Sequence, residues 1–279
     1  MSFASRGWRS AILGCAVALP SLLASPPLSA EPAVTPPPPA AAAQSDSQRE
    51  AAAILKRMTE YLAALPAFSL NFREGYDVVQ ASGQKIEFGD KRSLVLVRPD
   101  RLRVEEIASD GRHDLALFDG KTVTVFDSDA QVYAQAPQPG ALDDALVYFV
   151  RDLQMRMPLA LLMTTRLPAE LPGRVTAIDY VESTDLWGTP ADHIAGRTAS
   201  VDFQFWIAQG DHPWPLRVVI SYRNEPGQPQ FWANMADWTA APAVQRSTFE
   251  FVPAKDARKI AFAVQAKRRP PAPATGMQP

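Results

Sequence analysis

His113-Asp114-Leu115-Ala116-Leu117-Phe118-Asp119-Gly120-Lys121-Thr122-Val123-Thr124-Val125-Phe126 places two short apolar runs around an Asp-Gly pair. Both residues of the pair tolerate positive φ, so the stretch reads as a β-hairpin. The pattern continues on either side. Runs rich in Val, Phe, Leu and Thr cover 68–79, 84–88, 93–97, 102–107 and 131–134, and Ser82-Gly83, Gly89-Asp90, Arg98-Pro99-Asp100, Asp110-Gly111 and Asp127-Ser128-Asp129 divide them as turns. Further runs follow at 175–182, 190–196, 200–208, 215–223, 230–238 and 246–251. This predicts roughly a dozen antiparallel strands and no βαβ alternation, hence a mainly β, α+β domain.

Three helical pieces accompany the strands. Ser47 followed by Glu50 has the spacing of a capping box, and Ile54, Leu55, Met58, Leu62 and Leu65 share one helical face before Pro66. Between the two strand sets, Leu142, Leu146, Phe149, Val150 and Leu153 recur at helical spacing, and Pro158 opens another short piece reaching Met163.

The ends of the chain read differently. Arg6 and Arg9 precede an apolar stretch from Ala11 to Ala24, and Leu28-Ser29-Ala30 supplies small residues for cleavage after Ala30. That layout predicts a secretory signal over 1–30 and a periplasmic destination. The apolar stretch is interrupted by Pro20 and falls short of a membrane span, so no transmembrane segment is expected in the mature chain. Ile12-Leu13-Gly14-Cys15 has the outline of an acylation box, but too little apolar sequence precedes Cys15 for a lipoprotein signal. Pro32 to Gln44, with Pro36-Pro37-Pro38-Pro39 running into Ala40, predicts an extended spacer over 31–45. Residues 264–279, with Lys267-Arg268-Arg269-Pro270-Pro271, read as a solvated basic tail, leaving one domain over 46–263.

Composition and motif spacing narrow the chemistry. The 279 residues hold 28 basic and 30 acidic side chains, so no basic field exists for nucleic acid. The lone cysteine, Cys15, lies in the predicted signal, which excludes a disulfide framework and a multi-cysteine zinc module. His113, His193 and His212 have no second ligand at metal-binding spacing, and Asp192 beside His193 would point to the opposite face of a strand. There is no Gly-x-Ser-x-Gly elbow and no phosphate-cradling glycine loop. Asp143-Asp144 suits the positive end of a helix. The expectation is a protein without catalytic residues, metal or cofactor.

Aromatic strands carry the remaining signal. In Val201-Asp202-Phe203-Gln204-Phe205-Trp206-Ile207 the residues Val201, Phe203, Phe205 and Ile207 share one face, and Trp232 and Trp238 share a face of the later run. With Leu146 and Phe149 from the helical piece, these six residues are the candidate lining of an apolar cavity between sheet and helices.

Several stretches together resemble a family of predicted periplasmic proteins of unknown function. They are Arg98-Pro99-Asp100-Arg101-Leu102-Arg103, Phe118-Asp119-Gly120-Lys121, Val201 to Ile207, and Phe249-Glu250-Phe251-Val252-Pro253. That family is similar to the LolA/LolB lipoprotein carriers. The resemblance implies a curved antiparallel sheet forming an incomplete barrel, capped by about three helices. It also implies a non-catalytic binding or carrier role for a lipid, an acyl chain or an acylated protein. The alternative expectation is an envelope scaffold or regulatory module that recognises a protein partner.

Overall fold

The computed structural model describes residues 44–262. The predicted signal, most of the spacer and the basic tail lie outside the described residues. Helix α1 spans Asp46–Ala64 and starts two residues before the expected capping box. Ser45 is the N-cap: its hydroxyl accepts from the Gln48 backbone N–H, and the Gln48 side chain accepts from the Ser45 N–H. Ser47 is engaged elsewhere, donating its hydroxyl proton to the Tyr180 carbonyl and accepting from the Tyr180 N–H at 3.0 Å. Ala51, Ile54, Leu55, Met58 and Leu62 form the buried stripe. No basic side chain lies in the last turn of α1. Arg98 supplies the missing donors, reaching the Leu65 carbonyl at 3.0 Å and the Leu62 carbonyl at 3.4 Å, and its third bond goes to the Met163 carbonyl at 2.9 Å.

The strands are β1 (Ala67–Val79), β2 (Lys85–Val97), β3 (Arg101–Ala108), β4 (His113–Phe118), β5 (Thr122–Asp127), β6 (Val132–Pro137), β7 (Ala177–Leu186), β8 (Thr189–Arg197), β9 (Val201–Ala208), β10 (Pro215–Tyr222), β11 (Gln230–Thr239) and β12 (Arg258–Ile260). They form one sheet in the spatial order β12-β6-β5-β4-β3-β2-β1-β11-β10-β9-β8-β7. Neither end pairs with the other, so the sheet is the incomplete barrel that the resemblance implied. Pairing is antiparallel throughout except where β12 joins β6 in parallel. The Asp119-Gly120 turn forms as expected, with Gly120 at φ +86 and the Asp119 carboxylate accepting from the Lys121 and Thr122 N–H groups.

Four local readings change. Gly89-Asp90 is not a turn: both residues lie inside β2, paired with Gly75 and Glu74 of β1. A Cβ at Gly89 would sit 2.7 Å from the Glu74 carbonyl oxygen, so this glycine marks a close backbone approach. The piece after Leu142 is α2 (Leu142–Val147) followed by a π-helical turn (Tyr148–Asp152) and a 3₁₀ turn (Ala160–Met163). Helix α3 (Leu167–Arg174) begins with proline near its first turn and was not anticipated. Residues 246–251 hold a 3₁₀ turn (Arg246–Phe249) in place of a strand, and the last strand comes later, at β12.

The helices and the turns between α2 and α3 cover one face of the sheet, where Phe68, Leu70, Phe72, Leu94, Leu96, Leu102, Phe205, Val218 and Met235 join Met58, Leu62, Leu146 and Phe149 in a single apolar cluster. The opposite face is crossed by the segment after β11. Arg103 donates to the Thr248 carbonyl at 3.1 Å, Phe249 is buried, and the Phe251 ring lies 5.1 Å from Tyr133 and 5.7 Å from Phe126. This strap then reaches β6, where the Arg258 N–H bonds the Gln131 carbonyl at 2.9 Å.

Two glycines test these placements. Gly89→Ala is expected to destabilise by about 1–3 kcal/mol, because the added methyl must displace backbone. Gly173→Ala, in α3 with open space around its Cβ, is expected to stabilise by about 0.5–1 kcal/mol. Urea unfolding of the two variants reads both signs.

Candidate functional site

Between the helix-covered face and the turns of 157–163 lies a chamber with a free volume of about 40 Å³. Its floor is Phe68, Leu70, Phe72, Leu94, Val104 and Met235, and its roof is Met157, Pro158, Leu159, Ala160, Leu162 and Met163, with Trp238 at one side. That volume holds a few water molecules and no acyl chain. The roof, however, is built from a bend and a 3₁₀ turn rather than a regular helix, with Gln154 at φ +57 where the π turn ends. Methionine is concentrated here: Met157, Met163 and Met235 line the chamber, and Met155 packs against the same cluster. Unbranched thioether side chains refill space easily, so this wall can repack at little cost.

Glu74 and Arg92 close one end of the chamber. Strand register brings them together with further acids. Glu74 faces Asp90 on β2, and Arg92 faces Glu106 on β3, which in turn faces Asp114 on β4. The Arg92 guanidinium lies 2.9 Å from Glu74, 3.0 Å from Asp90 and 2.9 Å from Glu106. Arg112 pairs with Asp114 at 2.8 Å. From the roof, Arg156 lies 4.6 Å over the Tyr76 ring.

One guanidinium cannot neutralise three carboxylates, two of them buried and Glu106 half-buried, and Glu74, 4% exposed, takes the consequence. Burial pushes its carboxyl up to about 8, against the opposing pull of Arg92 and with a further push from Asp90 and Glu106. Burial also raises Glu106, and it raises Asp114 to about 6 despite Arg112. For Arg92, burial disfavours the charge, but the carboxylates outweigh it and the group stays protonated. At neutral pH, Glu74 is therefore a neutral donor at the edge of an apolar chamber.

The sequence-derived candidates separate into three groups. Trp238 lines the chamber, its ring 5.7 Å from Phe68 and stacked on Trp214 at 4.7 Å. Phe203, Phe205, Ile207, Leu146 and Phe149 are buried in the surrounding apolar cluster, and Val201 is half-buried at the far end of the same strand face. Trp232 is a correction: it faces the opposite side of the sheet, over Gly75, and donates its indole N–H to Glu87 at 3.1 Å. Period-two alternation fails between the two tryptophans because β1 and β11 shift register between Ser69 and Asn71, with Asp237 at φ +54. This bulge turns Trp238 toward the helices and leaves Trp232 outside. Sequence reading missed Glu74 and Arg92, although an acid and an arginine on otherwise apolar strand faces are a visible break in alternation.

The histidines stay apart. His193 stacks on Trp206 at 4.0 Å and meets Gln204 at 3.1 Å, while neighbouring Asp192 points to α1 and lies 3.6 Å from Arg57. His212 bonds the Tyr61 hydroxyl at 2.8 Å. Among the described residues, no group of His, Cys, Asp and Glu is arranged to hold a metal.

A family described as "Predicted periplasmic protein (DUF2092)" matches residues 51–263. The chain belongs to that family. Membership places this DUF2092 protein in the periplasm. No curated protein matches it. Among solved structures, it is similar to the lipoprotein LppX of Mycobacterium tuberculosis, with 13% identity and a TM-score of 0.44 over 71% of this chain and 100% of that one. It is also similar to a LolA superfamily protein of Nitrosomonas europaea, with 10% identity and a TM-score of 0.36 over 74% and 99%. The Pseudomonas aeruginosa MucA/MucB complex matches at 17% identity and a TM-score of 0.38, over 70% of this DUF2092 chain and 59% of that one. Among the described residues, no helix is long and apolar enough to cross a membrane.

The buried carboxyls give a pH signature. Glu74 releases its proton near 8 in the folded chain and near 4.5 in an unfolded one. Between those values the folded state binds more protons, so stability falls as pH rises through the window. Asp114 adds the same sign between its ordinary 3.8 and about 6. The Glu74→Gln variant is expected to lose most of the decline above pH 6 and to exceed the parent in thermal midpoint at pH 8. Melting curves from pH 5 to pH 8.5 measure both.

Proposed function

We propose that this protein binds an apolar chain, carried by a lipid or an acylated protein, between the sheet and the turns of 157–163, and holds it without covalent chemistry. One observation carries the reading. A continuous apolar floor faces a roof of irregular, methionine-rich turns, while the stripe of α1 covers the core elsewhere. With about 40 Å³ free, the ligand enters only by displacing the roof. The roof is tied down at few points: Met155 N–H to the Phe149 carbonyl at 3.0 Å, and Arg98 to the Met163 carbonyl at 2.9 Å. Lifting it exposes side chains that the incoming chain covers again, so the apolar area lost and regained nearly cancels. At the chamber's end, neutral Glu74 offers a hydrogen-bond donor to the ester or carboxyl of the ligand, and Arg156 offers positive charge.

Native mass spectrometry of protein purified from the periplasm under mild conditions is expected to show an added mass that organic solvent removes. Stripped protein is expected to take up a fluorescent fatty acid, and Leu159→Trp, which fills the chamber from a half-buried roof position, is expected to weaken uptake about tenfold, or 1.4 kcal/mol. A protein that carries no added mass and takes up no probe refutes the reading.

A further inference from the structure

The face of the sheet turned away from the helices carries a row of directly paired residues: Arg217, Asn234, Arg73, Lys91, Ile107 and His113. Neighbouring strands lie about 4.8 Å apart, so Arg217, Arg73 and Lys91 fall within about 15 Å of one another. Several other arginines on or beside this sheet are matched by acids: Arg92 by Glu74, Arg103 by Glu105, Arg112 by Asp114 and Arg197 by Asp202. Arg217, Arg73 and Lys91 have no carboxylate partner among the described residues. Arg217 instead lies 5.5 Å from the Trp206 ring and 5.7 Å from Trp232 and donates to Asn234. Arg73 and Lys91 are exposed and directly opposed, an arrangement of like charges that costs stability. An uncompensated cost of this kind is relieved when a negative partner covers it.

The row from Asn234 to His113, without Arg217, forms the floor of a groove of about 1280 Å³. One wall is the strap, residues 247–252, and Trp187 stands at the rim, 67% exposed. Apolar surface accompanies the cations, from Ile107, Leu115 and Phe126 on the floor and Phe251 in the wall. Four of the five acids along the groove are paired with other arginines, Glu105 with Arg103, Glu106 with Arg92, Asp114 with Arg112 and Glu250 with Arg246 at 3.6 Å, while Asp237 accepts from the Asn71 amide at 2.9 Å and keeps its charge.

We infer that this groove is a docking site for an extended, acidic peptide segment of a protein partner. Its carboxylates neutralise Arg73 and Lys91, and alternate apolar side chains settle on Ile107, Leu115 and Phe251. A wall on one side and a tryptophan at the rim admit a single strand of chain and keep a flat bilayer off the floor. The site lies on the other face from the chamber, so it stands or falls independently of the apolar-ligand reading.

The test uses a fluorescein-labelled peptide of alternating Glu and Leu, with its Lys and Leu counterpart as control, followed by anisotropy against the purified protein. The acidic peptide is expected to bind at low salt and to weaken as salt rises, while the basic peptide does not bind. The double variant Arg73→Glu with Lys91→Glu is expected to weaken binding about tenfold or more, because two attractions become repulsions. A double reversal of equal charge outside the groove, Lys56→Glu with Lys121→Glu, is expected to leave affinity within about twofold. All four positions are exposed, so unchanged thermal midpoints are expected to accompany both variants. Absent binding of the acidic peptide, or equal losses in the two double variants, overturns the inference. So does a protein that ignores the peptide and cosediments with phosphatidylglycerol vesicles, which would make the groove a membrane contact.

Discussion

The pairing of β1 with β11 holds the molecule together. Strands β1 to β6 and β7 to β11 are each runs of neighbours in sequence, built from local hairpins. Alone, each would present an apolar face too long for the short helices to cover. Pairing Asn71 with Ala236 and Tyr76 with Phe231 merges the two runs into one surface, on which Phe72 and Met235 lie side by side. α1 then packs on β7 and β8 while its C-terminus is capped by Arg98 from the β2–β3 turn, so both runs are fastened to one helix. The chamber lies where the two runs meet, since its floor takes residues from β1, β2, β3 and β11.

That seam also explains the polar edge of the chamber. Residues facing the helices along β1 and β2 are apolar up to Phe72 and Leu94, then become Glu74, Asp90 and Arg92. A buried guanidinium shared by carboxylates adds little to stability compared with apolar packing of the same volume. It leaves one end of an otherwise apolar chamber polar. With Glu74 neutral, Asp90 and Glu106 leave one excess negative charge around Arg92 instead of two.

The hairpin spacing, the Asp119-Gly120 turn and the strands from β7 to β11 were legible in the sequence to within a few residues, because alternation and turn chemistry are local. What escaped reading depends on contacts between distant segments. Gly89-Asp90 looks like a turn until Gly75 is opposite it and the strand continues. Trp232 and Trp238 share a face by counting, and only the register shift against β1 separates them. Ser47 and Glu50 have capping-box spacing, yet Ser45 takes that role because Tyr180 engages Ser47. The Arg92 cluster assembles residues from four strands, each an ordinary charge where it stands in the chain. Phe203, Phe205 and Ile207 were found as apolar by alternation, which locates the core but does not distinguish core from chamber.

The sheet has two free margins, treated unequally. β12 lies along β6 and occupies its outer hydrogen-bonding groups. β7 has a neighbour on one side only, and its sequence carries Asp179, Glu182 and Asp185, with a register shift between Tyr180 and Glu182. A second molecule approaching β7 to extend the sheet would meet its own acids in the same row and a strand that does not run straight. Crowded copies of this chain are thereby hindered from joining edge to edge into fibrils along β7.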